Sequence, residues 1–219
     1  MNRIIKYIIN EGLPITFIVF YCVGLVLYFS PSTHDLFILI TPYTLVLVSA
    51  AVFSHHKEWN LKTTIVLASI FISSILIEII GVATGKLFGV YTYGQGLGIK
   101  IVDVPVIIGL NWVFLTYASN GIISKYTSNN SLIIVGAGVL MVLYDILLEK
   151  AAPLIDMWMF SNNEPPVNNY IAWFILALLF NWVIQKFKIK TNNRPARWLF
   201  FIQFSFFIIL VIHHIYIQK

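Results

Sequence analysis

Seven mostly apolar stretches alternate with short polar segments along the chain, at about residues 13–30, 35–54, 63–85, 102–119, 131–149, 170–187 and 198–217. Each approaches the roughly 20 residues that an α-helix needs to cross the hydrocarbon core of a bilayer, the fourth and sixth being the shortest. The pattern predicts an all-α polytopic membrane protein with about seven transmembrane helices in one bundle. Residues 1–219 are expected to form a single transmembrane domain. The first stretch does not read as a cleaved signal peptide, because no small-residue cleavage site follows it and Ser30-Pro31 leads directly into the second.

Composition reinforces the pattern. Of the 219 residues, 59% are hydrophobic and only 11% charged, against about 25% charged in an ordinary soluble domain. Such a chain has too little polar surface to enclose itself in water. One cysteine, Cys22, leaves no internal disulfide framework. The net charge of +5 does not point to nucleic acid, because the basic residues sit between apolar runs, where they set orientation. With the N-terminus cytoplasmic, Arg3, Lys6, Lys57, Lys62, Lys125, Lys186, Lys188, Lys190, Arg194 and Arg197 fall inside, and Lys86, Lys100, Lys150 and Lys219 outside. That bias predicts a multi-pass protein of the cell (inner) membrane with an extracytoplasmic C-terminus. The run from Lys186 to Arg197 then reads as an anchor on anionic lipid.

Four acidic residues lie in or at the edge of spans: Glu78, Asp103, Asp145 and Glu149. An acid in hydrocarbon costs several kcal/mol, so such residues usually face the bundle interior and carry function. At 1.5 Å per residue, Glu78, Asp145 and His213 each lie about 21–22 Å from the cytoplasmic end of their spans. Asp103 opens the fourth span, with Asn111 about 12 Å below it. Helical spacing puts Ser74, Glu78, Gly81 and Gly85 on one stripe, Gly138, Met141, Asp145 and Glu149 on another, and Asp103, Ile107 and Asn111 on a third. The bland reading is that the acids only tie helices together; their common depth favours one site in the outer half. His213 reads as either packing or site, and His55 and His56 as solvated loop residues.

The loops at that depth are rich in aromatics. Residues 88–98 carry Phe88, Tyr91, Tyr93 and four glycines, and residues 151–169 carry Trp158, Phe160 and a proline pair. They read as an interfacial belt or as a folded lid over the site. Several chemistries are excluded by residue type. The last span has no lysine for a retinal Schiff base, there is no aspartate-rich diphosphate motif, and five histidines are too few for a membrane di-iron centre. No metal ligand set is assigned, and GxSxG, HExxH and P-loop patterns are missing.

Two runs carry a resemblance. The first is Glu78-x-x-Gly81-x-x-x-Gly85-x-x-Phe88-Gly89-x-Tyr91-x-Tyr93, followed by Val104-Pro105 and Asn111-Trp112. The second is Tyr144-Asp145-x-x-x-Glu149-x-x-Ala152-Pro153-x-x-Asp156-x-Trp158, followed by Pro166-x-Asn168-Asn169-Tyr170-x-Ala172-Trp173. Together they resemble the membrane carotenoid biosynthesis proteins, which include the CruF-like carotenoid 1,2-hydratases (bisanhydrobacterioruberin or γ-carotene hydratases). The motif-bearing part spans about residues 70–185; the first two spans and the last carry no matching motif.

The resemblance implies a hydro-lyase that adds water across the terminal C1=C2 double bond of an acyclic carotenoid ψ-end without a cofactor. Its partners would be a carotenoid substrate, membrane lipid and other enzymes of carotenoid biosynthesis. The reaction needs a carboxylic acid to protonate C2, electron-rich groups beside the cation at C1, and a positioned water. Burial in apolar surroundings favours the protonated acid, and aromatic faces stabilise a nearby cation by about 0.5–2 kcal/mol each. Asp145 is the first candidate for the donor and Glu78 the second, with Asp103 and Glu149 as further catalytic candidates. Tyr91, Tyr93, Asn111, Trp112, Trp158, Asn168, Trp173 and His213 are the substrate-binding candidates, Asn111 and Asn168 being assigned to the water. A lycopene-type cyclase would use the same protonation. A small transporter and a non-enzymatic carotenoid-binding protein are the readings from other classes; against the transporter, the inner half is read as lacking polar residues for a pathway.

Overall fold

The computed structural model describes residues 3–217, with side chains described for residues 12–216. Lys219 lies outside the described residues, and Arg3 and Lys6 outside the described side chains. Among the described residues seven α-helices follow one another: α1 Arg3–Phe29, α2 His34–Ser54, α3 Leu61–Thr84, α4 Ile107–Ile123, α5 Asn130–Ala151, α6 Val167–Lys186 and α7 Arg194–Ile217. Six are long and apolar enough to cross a membrane, and α4 is a shorter apolar helix. The protein is an all-α membrane bundle, as the hydropathy pattern predicts.

α4 occupies the centre, packed against α2, α3, α5, α6 and α7. Its sequence explains the position. Apolar and small residues run all round it, so Trp112 through Ile122 are buried without interruption, as expected of a helix enclosed by protein. The outer helices keep one exposed face, with Ile72, Leu76 and Ile80 on α3 and Leu143 and Ile146 on α5 turned outward. Helix ends are marked by local chemistry. Asn60 caps α3 by accepting from the Thr63 amide at 2.9 Å, Asn129 caps α5 in the same way, and Gly85 ends α3 in the left-handed conformation at φ 63°.

The fourth span begins later than the hydropathy pattern predicts. Lys100–Ile101 pairs antiparallel with Val104–Pro105 in a short hairpin, and Val102 and Asp103 form the turn at φ 48° and 64°. An apolar run this short fits a strand as well as a helix, and Pro105 sits where a helix interior would reject it. A second ribbon joins distant segments. Tyr91–Tyr93 (β1) pairs antiparallel with Trp158–Phe160 (β2), and Tyr91 stands opposite Phe160 and Tyr93 opposite Trp158. Strand alternation turns Tyr91, Trp158 and Phe160 inward with the half-buried Tyr93, while Thr92 and Met159 face out. The ribbon closes over the end of the bundle formed by the C-terminal ends of α3 and α5 and the N-terminal ends of α4 and α6.

Around this lid the two connecting loops interlock. Gly94 N–H donates to the Met157 carbonyl at 2.9 Å, Gly96 N–H to the Asp156 carbonyl at 2.7 Å, and Gln95 N–H to Asp156 Oδ2 at 2.8 Å. A Cβ on Gly94 or Gly96 would run into Asp156 or the backbone beside it. The opposite end of the bundle is tied by amides. Asn120 Nδ2 donates to Asn181 Oδ1 at 3.0 Å, and Asn120 Oδ1 accepts from Gln185 at 2.9 Å and Thr191 at 3.0 Å. This corrects the expectation that the half without acids lacks polar residues. The amides are scattered singly through apolar runs, so no polar stripe betrays them, and they bond to one another across α4, α6 and the α6–α7 linker.

The loop contacts predict that Gly94→Ala destabilises the protein by about 1–3 kcal/mol, the range typical of overpacking. Thermal unfolding in detergent would show it as a lowered midpoint, whereas Thr92→Ala, on the outer face of the ribbon, should leave the midpoint near the parent value.

Candidate active site

α3, α5 and α6 each deliver an ionisable or amide side chain beneath the lid. Glu78 comes from the buried stripe of α3 that also holds Ser74 and Gly81. Asp145 and Glu149 are one turn apart on the buried face of α5. Asn169 comes from the first turn of α6 and is buried. Gly81 leaves room for Phe88, whose ring a Cβ there would meet, so the chain turns back over Glu78.

Neutral donors surround the three acids. Tyr91 Oη donates to Glu78 Oε2 at 2.5 Å and Tyr93 Oη to the same oxygen at 3.1 Å, while Trp112 Nε1 approaches Oε1 at 3.5 Å. Trp158 Nε1 donates to Glu149 Oε2 at 2.8 Å. Asn169 Nδ2 bridges the pair on α5, reaching Glu149 Oε1 at 3.0 Å and Asp145 Oδ2 at 3.2 Å. Asp145 Oδ1 is buried without a hydrogen-bond partner among the described residues. None of the three acids pairs with a lysine or arginine among the described residues; the described ion pair, Lys190 with Glu58 at 2.6 Å, belongs to the opposite end. Burial pushes the Tyr91 and Tyr93 hydroxyls well above the ordinary tyrosine range, and the nearby Glu78 adds to the shift. Both therefore stay protonated and keep donating.

These groups enclose a void of about 20 Å³, lined by Glu78, Glu149, Asn169 and Asn111 among the rings of Phe88, Tyr91, Tyr93, Trp112, Trp158, Phe160 and Trp173. That volume holds one water and requires polar partners to keep it, which the walls supply. Trp112 and Trp173 stack at 4.1 Å between centroids and 25° between planes, giving one wall a double aromatic layer. Tyr91 and Tyr93 meet edge to face at 5.4 Å. The chamber thus combines carboxyl groups, space for a water and π-faces able to flank a cation.

Of the residues named from sequence, Glu78, Glu149, Tyr91, Tyr93, Asn111, Trp112, Trp158 and Trp173 line this chamber. Asp145 stands behind it, fully buried one helical turn deeper on α5, and is linked through Asn169. Three others are elsewhere. Asp103 is exposed at the tip of the Lys100–Pro105 hairpin, because the helix on which its depth was reckoned starts only at Ile107. Asn168 is exposed; its neighbour Asn169 takes the inward position, since adjacent helical residues point about 100° apart. His213 packs on Phe29 between α7 and α1, with ring centroids 4.3 Å apart and planes tilted by 35°, at the depth reckoned for the acids but on another side of the bundle. His56, read as a solvated loop residue, is buried and its Nδ1 lies 2.8 Å from Tyr117 Oη at the opposite end; desolvation lowers its pKa. Phe88 and Phe160, read in the sequence as part of the aromatic loops, also line the chamber, and Asn169, which is not among the site candidates, bridges two of its acids; its place beside Asn168 in the second motif run is the signal that points to it.

The family model described as carotenoid biosynthesis protein matches residues 36–218. The match is wider than the motif-bearing stretch at 70–185 and takes in α2 and α7, in which no motif was recognised. No curated protein and no solved structure matches the chain. Because the family match includes six of the seven helices, both halves of the lid and every acid of the chamber, the chain belongs to the family of carotenoid biosynthesis proteins.

Proposed function

We propose that the chamber hydrates the terminal C1=C2 double bond of an acyclic carotenoid end by protonation and water capture. The observation that carries this reading is the meeting of Glu78, Glu149 and Asn169 around a water-sized space inside aromatic walls. Glu149 is the proton donor in this scheme, in place of the first sequence candidate, because it lines the chamber while Asp145 lies behind it. Asp145 and Asn169 hold Glu149 in place. Glu78, receiving hydrogen bonds from Tyr91, Tyr93 and Trp112, suits the role of a carboxylate that orients the water.

The steps balance without a redox partner. Glu149 gives its proton to C2, and the π-electrons form the new C–H bond, leaving a tertiary cation at C1. The faces of Trp112, Trp158 and Trp173 stabilise that cation. Water held by Glu78 and Asn111 adds to C1, its surplus proton passes to Glu78, and transfer back across the chamber restores Glu149. The net change is one water added and one double bond lost. The polar side chains beside the reacting carbon favour capture by water over capture by an internal alkene.

Expression in cells that accumulate an acyclic carotene, followed by mass spectrometry of the pigments, tests the reading. A product heavier by one water is expected; an isomer of unchanged mass would assign cyclisation instead. Glu149→Gln, which keeps the side-chain shape and one of the two acceptor oxygens, should lower turnover by about 10²–10⁴-fold, the usual worth of a general acid, in protein whose cooperative thermal unfolding shows that it is folded. Full activity in Glu149→Gln would remove it from the donor role.

We further propose that the lid end faces away from the cytoplasm. Lys57, Lys62, Lys125, Lys186, Lys188, Lys190, Arg194 and Arg197 lie at the opposite end, against Lys86, Lys100 and Lys150 at the lid end, a bias that follows the positive-inside rule. In a Cys22→Ser background, Gln95→Cys should react with a membrane-impermeant thiol reagent in intact cells and Lys57→Cys should not. The reverse pattern would invert the orientation.

A further inference from the structure

The acid chamber shares walls with its neighbours. Ile108, Asn111 and Trp158 also line a second void of about 10 Å³, whose far side is formed by Leu45, Met157, Gln203 and Phe207. Those same four residues line a third void of about 100 Å³ in the cleft between α1, α2 and α7. Three voids therefore stand in a row, each separated from the next by side chains common to both. At the outer end, Val23 lines the cleft and is 52% exposed on the lipid-facing side of α1.

The outer cleft presents mostly hydrocarbon, although polar residues occur in its walls. Thr41 Oγ1 donates to the Phe37 carbonyl and Thr44 Oγ1 to the Thr41 carbonyl, both at 2.7 Å. Gln203 Nε2 donates to Tyr21 Oη at 2.7 Å, and Gln203 Oε1 accepts from Tyr144 Oη at 3.1 Å. The hydroxyl and amide groups of Thr41, Thr44, Tyr21 and Gln203 are engaged within the wall, which leaves Phe20, Phe37 and Phe206 to face the cleft; polar groups appear only further in, where Asn111 and Trp158 border the acid chamber. Such a cleft has little to offer a polar solute and suits a long unsaturated hydrocarbon.

We propose that this row is the substrate channel: the polyene chain lies in the α1–α2–α7 cleft and its acyclic end passes Leu45 and Met157 to reach the acid chamber. The proposal rests on the hydration reading for the chemistry at the inner end, but the channel itself is a binding property. The chamber is too small for an isoprenoid end group, so entry requires the shared side chains Asn111 and Trp158 to shift, which merges the first two voids. Gly24 controls the width of the cleft. A Cβ there would already touch Phe206 at 3.6 Å and Phe37 at 3.7 Å, and any larger side chain would occupy the space assigned to the chain.

The test uses detergent-solubilised full-length protein, a full-length acyclic carotene and a short acyclic alkene with the same terminal double bond. Binding is read as visible circular dichroism induced in the carotene, and conversion by mass spectrometry. Gly24→Phe should weaken carotene binding about tenfold or more, a loss of about 1.4 kcal/mol, and lower the ratio of carotene to short-alkene conversion. Leu27→Trp, which fills the same cleft from a neighbouring position, serves if Gly24→Phe does not fold. Carotene binding that is blocked by Gly24→Phe, without hydration of either alkene by the parent protein, would uphold the channel and remove the hydration reading. Parent-like binding in Gly24→Phe, with binding lost in Ala172→Phe of the α3–α6 groove or Val46→Phe of the α2–α4 groove, would overturn the channel. Equal loss of both substrates at an unchanged unfolding temperature would overturn it as well.

Discussion

Three carboxyl groups sit inside an apolar bundle with neutral hydrogen-bond donors and no described basic partner, and that constraint organises the structure around them. A buried acid left without partners costs several kcal/mol. Each therefore recruits donors that the fold must bring from a distance: Tyr91 and Tyr93 to Glu78, Trp158 to Glu149, and Asn169 to the pair on α5. The lid ribbon exists where it does because its inward residues carry those donors on apolar rings. The same side chains that satisfy the acids also seal them from water and supply the aromatic faces, so stability and chemistry draw on one set of contacts.

Glycines make this closure geometrically feasible. Gly81 admits the Phe88 ring against α3, and Gly94 and Gly96 let one loop pack directly on the backbone of the other. Asp156, in the left-handed conformation at φ 52°, holds that loop pair with its carboxylate and its carbonyl. Between the chamber and the neighbouring void stand only the side chains of Ile108, Asn111 and Trp158.

The helices were legible because hydrophobic length and 3.6-residue periodicity are strong local signals. The stripes containing Glu78 and Glu149 could be placed on buried faces without coordinates for that reason. Non-local features were not legible. Nothing in residues 91–93 states that they pair with residues 158–160, so the aromatic loops could be read as a belt or as a lid. Asn168 and Asn169 differ only in helical phase, which depends on where α6 starts, and helix starts are uncertain by a residue or two. Asp103 was placed by counting along a helix that gives way there to a hairpin. His213 shows the limit of depth alone, since a common height on different helices does not fix which side of the bundle a residue faces.

In the proposed reaction a carboxylic acid of this chamber protonates a carbon of a terminal alkene. Running the conversion in deuterated water tests it most directly. One non-exchangeable, carbon-bound deuterium per modified end is the predicted result, and it should be lost along with turnover in Glu149→Gln. A product formed without any carbon-bound deuterium would contradict proton delivery to the alkene and with it the role assigned to the acids.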